Sequence, residues 1–210
     1  MEKAAARLNL ATFLERSRVN GPGTRAVVWV QGCPIRCPGC FNPSMWSFEP
    51  KELVEVTDLA EHIAGIDGID GVTFSGGEPF AQAGALAALG GLLRKRGLSI
   101  VTFTGYTAER VTGSDRDDWW SLLDVTDLLI AGPFKRALGA AHPLCGSRNQ
   151  RLVFLTERLR DHPDLAGPLG RVVEYTIMKD GTTVTTGFPE PTQDLSTTPD
   201  ERGDPHLTPR

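Results

Sequence analysis

Three of the chain's four cysteines, Cys33, Cys37 and Cys40, share one short stretch, Gly32-Cys-Pro-Ile-Arg-Cys-Pro-Gly-Cys40. Cysteine thiolates at close spacing hold iron–sulfur clusters. A four-iron cubane gripped by three protein sulfurs keeps one iron open. An open coordination position is what a metal uses to bind and activate a substrate, as catalytic zinc sites do. Gly39 lets the loop fold closely round such a cluster, where backbone amides can donate to sulfur. A structural zinc ion, with Cys145 or His142 as fourth ligand, is the competing reading. Zinc sites usually pair their cysteines, however, and this chain has no second pair. Four cysteines grouped three and one do not form a disulfide framework, and such spacing in a reducing compartment serves metal binding or redox work.

A second motif, Ser75-Gly-Gly-Glu-Pro79, follows a β-rich run. Gly76 and Gly77 leave backbone groups accessible to a ligand. Glu78 offers a carboxylate that accepts from an ammonium group. By itself Gly-Gly after a strand is commonly a turn. Its value comes from the elements that place it beside the cysteines. Residues 25–31 read as a buried strand ending at the cysteine loop, and 71–75 as a second strand ending at Gly76. Residues 98–105 read as a third strand, ending in Thr104-Gly-Tyr106-Thr, and 127–132 as a fourth. Helices are expected over 58–66, 80–97 (weakened by Gly90-Gly91) and 117–125. This alternation predicts an α/β fold with a mostly parallel sheet and right-handed crossovers. Ligands in such sheets sit beyond the carboxyl ends of the strands. Cys33 and Glu78 are therefore expected on one rim.

Past Gly132 the pattern loosens. Residues 133–150 form a long loop, of the kind that is often functional. A short strand at 151–155 follows. Residues 171–188 read as two strands joined at Asp180-Gly181. The domain is expected to span residues 1–188, and the Pro-, Thr- and Asp-rich segment 189–210 reads as a disordered tail.

Bulk properties narrow the class. The composition, 40% hydrophobic and 23% charged, is that of a globular chain. A net charge of −4 gives no electrostatic case for binding nucleic acid or a membrane surface. The basic run Arg94-Lys95-Arg96 closes an apolar helical segment, where cations favour a helix C-terminus. The apolar run from Ala81 to Leu93 is shorter than the ~20 residues a bilayer span needs. The N-terminus has no signal-peptide h-region. A cytoplasmic location is expected.

The two motifs together resemble those of radical S-adenosylmethionine (SAM) enzymes, and more narrowly the glycyl-radical activating enzymes, including the activases of anaerobic ribonucleotide reductase. Asn20-Gly-Pro-Gly-Thr-Arg25 is similar to the family's D-G-P-G-x-R segment, and "SGGEPF", "TGYT" and "GSRNQR" (146–151) follow in its order. The resemblance implies a partial (β/α) barrel, with Cys33, Cys37 and Cys40 ligating a [4Fe–4S] cluster. It implies that SAM chelates the open iron, with its amino group held by Gly76, Gly77 and Glu78 and the loop shaped by Pro79. It further implies a flavodoxin- or ferredoxin-like electron donor and a glycyl-radical protein as substrate. A maturase modifying a peptide or small molecule, and a non-catalytic zinc- or cluster-binding module, are the alternatives. Phe41 follows the third cysteine where many radical SAM enzymes have an aromatic residue before it, an arrangement shared with the reductase activases. Asn20 and Ala131 stand where relatives often carry aspartate.

Among the remaining candidates, Thr104 and Tyr106 are placed to contact the nucleoside of SAM. Arg148, Asn149 and Gln150 suit a peptide backbone. Cys145 is either a packed thiol or a hydrogen-atom donor. Trp46 is expected to shield the cluster. Trp119 and Trp120 cannot share a helical face, so one is expected inside and one outside. His62, His142, His162 and His206 read as surface residues.

Overall fold

The computed structural model describes residues 6–139, 142–166, 172–177 and 181–188. The chain opens with β1 (Arg7–Ser17), antiparallel to β2 (Arg25–Val30) and paired on its other side with β3 (Glu52–Glu55). Helix α1 (Val56–Ala64) leads into β4 (Gly71–Gly76), and α2 (Ala83–Arg94) into β5 (Ser99–Thr104). Helices α3 (Ala108–Thr112) and α4 (Asp117–Val125) precede β6 (Leu128–Ala131). β7 (Arg151–Phe154) returns antiparallel to β6. β8 (Val173–Ile177) and β9 (Thr183–Gly187) form a separate antiparallel hairpin.

The large sheet runs β3-β1-β2-β4-β5-β6-β7. Its four central strands, β2, β4, β5 and β6, are parallel, as the alternating pattern predicts. The flanks are antiparallel, and β1 and β3 were not foreseen. In β1 the pairing with β2 slips between Leu10 and Thr12 and again between Leu14 and Ser17. Each slip shifts the in-and-out alternation that betrays a strand in sequence. β3 is only four residues long. The helix expected from residue 80 begins as a 3-10 turn at Pro79–Gln82 and becomes α-helical at Ala83. Asp180 and the segment 189–210 lie outside the described residues. Gly181, the other half of the expected turn, has φ 86°.

Side-chain alternation divides the core into layers. Ala26, Val28 and Val30 of β2, with Val72, Phe74 and Ile100, pack against Leu59 and Ile63 of α1, Leu86 and Leu89 of α2, and Trp119 and Leu122 of α4. All three helices thus lie on one face. Trp119 is buried there while Trp120 is 43% exposed, as neighbours on a helix must be. On the other face Val27 and Trp29 meet Ala11 and Leu14, and Val101, Leu128 and Ile130 meet Leu144 and Cys145. Loops and the hairpin, rather than helices, cover this second face.

Fully buried Arg25 pins the start of the central strands. Its guanidinium donates to Thr73 Oγ1, the carbonyls of Pro22, Val72 and Ser99, and Ser99 Oγ. Burial pulls its pKa down to about 9, against the opposing charges of Asp127 and Asp70. Asp127, also buried, accepts from Arg94, the Ile100 amide and Thr156.

Candidate active site

The cysteine loop leaves β2 at the carboxyl end of the parallel strands. Gly32 N donates to Met45 O and Cys33 N to Trp46 O, so the backbone of residues 45–46 anchors the loop's base. Beyond Cys33 the loop swings outward, and Pro34, Arg36, Pro38 and Gly39 are exposed. Arg36 sits at φ 51° and Gly39 at φ 76°. All four cysteines are free thiols. Backbone amides approach each of the three clustered sulfurs: those of Ile35 and Arg36 at Cys33, that of Phe134 at Cys37, and that of Asn42 at Cys40, the last at 3.3 Å. Amides aimed at sulfur stabilise thiolate over thiol. Burial acts in the opposite direction and pushes the Cys33 and Cys37 thiols up.

The neighbouring loop is packed tightly against this one. Gly77 N donates to Val30 O at 2.7 Å and Glu78 N to Gly32 O at 2.9 Å. A Cβ on Gly77 would lie 2.3 Å from Gly32 O, and Gly76 adopts φ 105° with no room for a side chain beside Val30. Only glycine fits either position. Glu78 is fully buried. Its Oε1 accepts from Phe80 N (2.9 Å) and Thr104 Oγ1 (2.8 Å), and its Oε2 from Gly105 N (2.8 Å). The carboxylate therefore ties β4's loop to β5's. Burial pushes its pKa up to about 7, despite the three donors. Among the described residues Glu78 has no ion-pair partner.

Both loops line one cavity of about 120 Å³. Its walls include Cys33, Cys37, Cys40, Gly76, Gly77, Glu78, Pro79 and Thr104, so eight of the nine cluster- and cofactor-binding candidates meet there, together with Gln150. Tyr106 is the exception. Its ring packs on Trp119 at 4.9 Å and beneath the Arg110 guanidinium, and it does not line the cavity. Thr104 reaches the wall, but its hydroxyl is spent on Glu78.

A larger cavity of about 430 Å³ adjoins the first and shares Cys40, Ser75, Phe103, Phe134 and Gln150 with it. Threonine, asparagine, glutamine and aromatic side chains line it, and no charged one does among the described residues. The hairpin supplies Val184 to Gly187, with Phe188 just beyond. Phe41 packs against both Phe134 (4.8 Å) and Phe188 (5.4 Å). Gln150, read from sequence as suited to a peptide backbone, does reach this wall, whereas Phe134 and the hairpin were not marked as site residues and only the length of the 133–150 loop hinted at Phe134. Gln150 takes the Gly146 and Ser147 amides on Oε1 and donates to Gly132 O, and Asn149 donates to Pro133 O. These amides brace the loop itself rather than face outward. Arg148 is exposed.

Cys145 packs in the second-face core, its thiol 3.9 Å from Gln150 O. Burial raises its pKa to about 11. It is no fourth ligand here: no three His, Cys, Asp or Glu side chains among the described residues are arranged to share one metal ion. A mononuclear zinc site is thus not preformed. A cubane presents its ligands at separate corners, and three free, amide-approached thiols on one cavity wall suit that donor set. Trp46 contributes its backbone to the loop's anchor and does not line the cavity. No helix among the described residues is long and apolar enough to cross a membrane.

Residues 19–153 match the family described as "4Fe-4S single cluster domain". An anaerobic ribonucleoside-triphosphate reductase-activating protein of Enterobacteria phage T4 is 31% identical over 151 residues, which are 69% of this chain and 92% of that protein. The protein of the same name from Salmonella typhimurium is 29% identical over 134 residues, 57% of this chain and 80% of its own length. A pyruvate formate-lyase-activating enzyme of Streptococcus mutans is 33% identical over 118 residues, 53% of this chain, and the match spans only 45% of that enzyme.

Proposed function

Because the chain belongs to the 4Fe-4S single cluster domain family and is an enzyme of the radical SAM activating type, we propose that it cleaves SAM reductively to install a glycyl radical on a partner enzyme. Cys33, Cys37 and Cys40 would hold the [4Fe–4S] cluster. Held there and reduced, such a cluster would supply the one electron that parts the sulfonium of SAM into methionine and a 5′-deoxyadenosyl radical, which would take a hydrogen atom from the partner's glycine.

The chain's own residues do the positioning. Glu78 is a buried carboxylate with no countercharge among the described residues, on the wall of the cavity that the three sulfurs share. That single observation carries the reading: an uncompensated buried anion is costly unless a cation comes to it, and the ammonium of SAM is such a cation. Gly76 and Gly77 bring their backbone to the same wall. The larger, uncharged cavity suits a main-chain segment of the partner, and Phe41, Phe134 and Phe188 keep water and stray hydrogen donors away. The central parallel strands, with helices packed on one face and none on the other, support the partial (β/α) barrel expected of such enzymes. A flavodoxin- or ferredoxin-like protein is the proposed donor, and a reducing cytoplasm fits four free thiols.

A second reading, a maturase acting on another peptide, draws on the hairpin, which lies beyond the matched residues 19–153 yet forms part of the larger cavity. Anaerobic reconstitution tests the core of both: about four irons per chain and dithionite-dependent cleavage of SAM are expected, and a colourless zinc protein that leaves SAM intact overturns them. Electron paramagnetic resonance then separates the two. A glycine-centred signal in a co-incubated glycyl-radical enzyme supports activation; covalent change in a free peptide supports the maturase.

A further inference from the structure

The two loops around the sulfurs carry a charge pattern unlike the rest of the chain. Between Gly32 and Phe48 the only charged residue is Arg36, and between Pro133 and Gln150 the charged residues are Lys135, Arg136 and Arg148. Neither stretch holds a carboxylate, in a chain whose net charge is −4. All four cations are exposed, and none forms an ion pair among the described residues.

The fold gathers them. The Arg136 side chain lies over Gly39, 3.0 Å from where a Cβ would stand. Phe134 packs on Phe41, and its amide points at Cys37. Lys135 N donates to Ser147 Oγ, while Arg148 N donates to Leu138 O and Gly139 O. Two interlocked loops thus present a basic collar of four exposed cations beside the cysteine turn, none ion-paired among the described residues, with Arg136 lying directly on that turn. None of the four lines the larger cavity, and no charged side chain among the described residues does.

We propose that this collar is the docking surface for a one-electron carrier protein with an acidic face around its own redox centre. The inference rests on the function proposed above, which requires one electron to reach the cluster for each SAM cleaved. Electron transfer weakens steeply with distance, and the exposed outer turn at Pro34, Pro38 and Gly39 is the short way in. An acidic partner would be steered to that turn by complementary charge, an effect that salt screens. Substrate and electron then approach by different openings.

The test uses the reconstituted protein and an acidic flavodoxin as probe, with the triple variant Lys135→Glu, Arg136→Glu, Arg148→Glu. Arg36 is left in place because its backbone is in the left-handed region. In the parent, flavodoxin affinity should weaken several-fold between 50 and 300 mM salt, roughly as charge screening predicts. In the variant, affinity at low salt should fall about tenfold or more and cluster reduction by flavodoxin should slow correspondingly, and added salt should no longer weaken binding but leave it flat or improve it. Iron content and dithionite-driven SAM cleavage should match the parent. Unchanged flavodoxin affinity and reduction rate in the variant would overturn the proposal. So would a loss confined to binding of the glycyl-radical partner, which would reassign the collar to the substrate. A parent that never cleaves SAM with dithionite counts against the function above, while the binding arm, which needs no turnover, still decides the collar.

Discussion

The two rims of the small cavity are built by different means. On the acidic rim, Gly77 N, Glu78 N and the Glu78 carboxylate are all satisfied within the fold, and Glu78 has no exposure at all. On the sulfur rim, the outer residues are exposed, and inside the turn the backbone bond is Cys40 N to Cys37 O. The acidic rim is finished by the polypeptide. The sulfur rim presents three free thiols with amides at their sulfurs and little packing inside the turn, and under the proposed function an inorganic core would complete it. Gly32 is where they meet, its carbonyl accepting from Glu78 N. One rim holds its carboxyl in a fixed place, and the other is left open.

The contrast is broken most severely from the sulfur side. Cys33→Ser, Cys37→Ser or Cys40→Ser should each abolish iron retention and bring SAM cleavage to background. The iron-free fold should lose no more than about 1 kcal/mol, because these side chains support little else. Urea denaturation of the iron-free variants beside iron analysis checks both halves. The acidic rim should behave the opposite way. Glu78→Ala strands the Thr104 hydroxyl and the Phe80 and Gly105 amides, at about 1–3 kcal/mol for each buried group left unmet. A loss of about 3–5 kcal/mol in the iron-free protein is expected. Glu78→Gln keeps the acceptor for Phe80 N and Thr104 Oγ1 but turns an NH2 toward the Gly105 amide, so it should lose only about 1–3 kcal/mol yet bind SAM at least about tenfold more weakly, some 1.4 kcal/mol. Equal stability losses on the two rims would erase the distinction.

Acidity sharpens it further. Glu78 is held protonated up to about 7, whereas in the unfolded chain it ionises near 4.5. Below 4.5 both states carry the proton and the full stability is present. From there to about 7 the unfolded state releases its proton first, so stability falls as pH rises, then levels off. The total is about 3 kcal/mol for a shift of this size. Denaturation midpoints of iron-free protein between pH 5 and 8 should show this decline, and Glu78→Gln should remove it. A cation seated by the carboxylate favours its ionised form. SAM affinity of the parent should therefore rise across the same window, and that of Glu78→Gln should not.

Much of this rim was readable in sequence because local chemistry enforces it. The cysteine spacing, the Gly-Gly pair and the apolar runs of β2, β4, β5 and β6 each carry their signal within a few residues. Parallel strands buried on both faces appear as near-continuous apolar stretches, and the ligand end of such a sheet follows from its topology. What stayed hidden depends on distant partners. β1 lost its alternation to two slips in pairing. Tyr106 stands beside the site in sequence, but Trp119 and Arg110 draw its ring elsewhere. Gln150 and Asn149 looked free to grip a ligand, and only the folded loop shows them engaged with Gly132, Pro133, Gly146 and Ser147. The hairpin's place over the larger cavity likewise depends on contacts more than 100 residues apart in the chain, such as Asn20 with Thr186.

That last contact supports the smallest of the expected effects. Asn20, standing where relatives often have aspartate, donates from Nδ2 to Ser17 Oγ and Thr186 Oγ1, both at 2.8 Å, and its Oδ1 faces the Thr186 hydroxyl at 3.1 Å. Only an amide can both donate and accept in this way. Thr186→Val keeps the shape and removes the hydroxyl, at a cost of about 1 kcal/mol. The loss should be local. Amide exchange should quicken in β8 and β9 while β2 and β4 keep their protection, since separate cooperative units open independently. Exchange that stays slow in the hairpin would mean that its other ties, the Phe41–Phe188 contact and the bond from Arg18 N to the Glu174 carboxylate, suffice to fix it. Phe188→Ala in the same background would then be the change that releases it, and the wall of the larger cavity would be an aromatic device rather than a polar one.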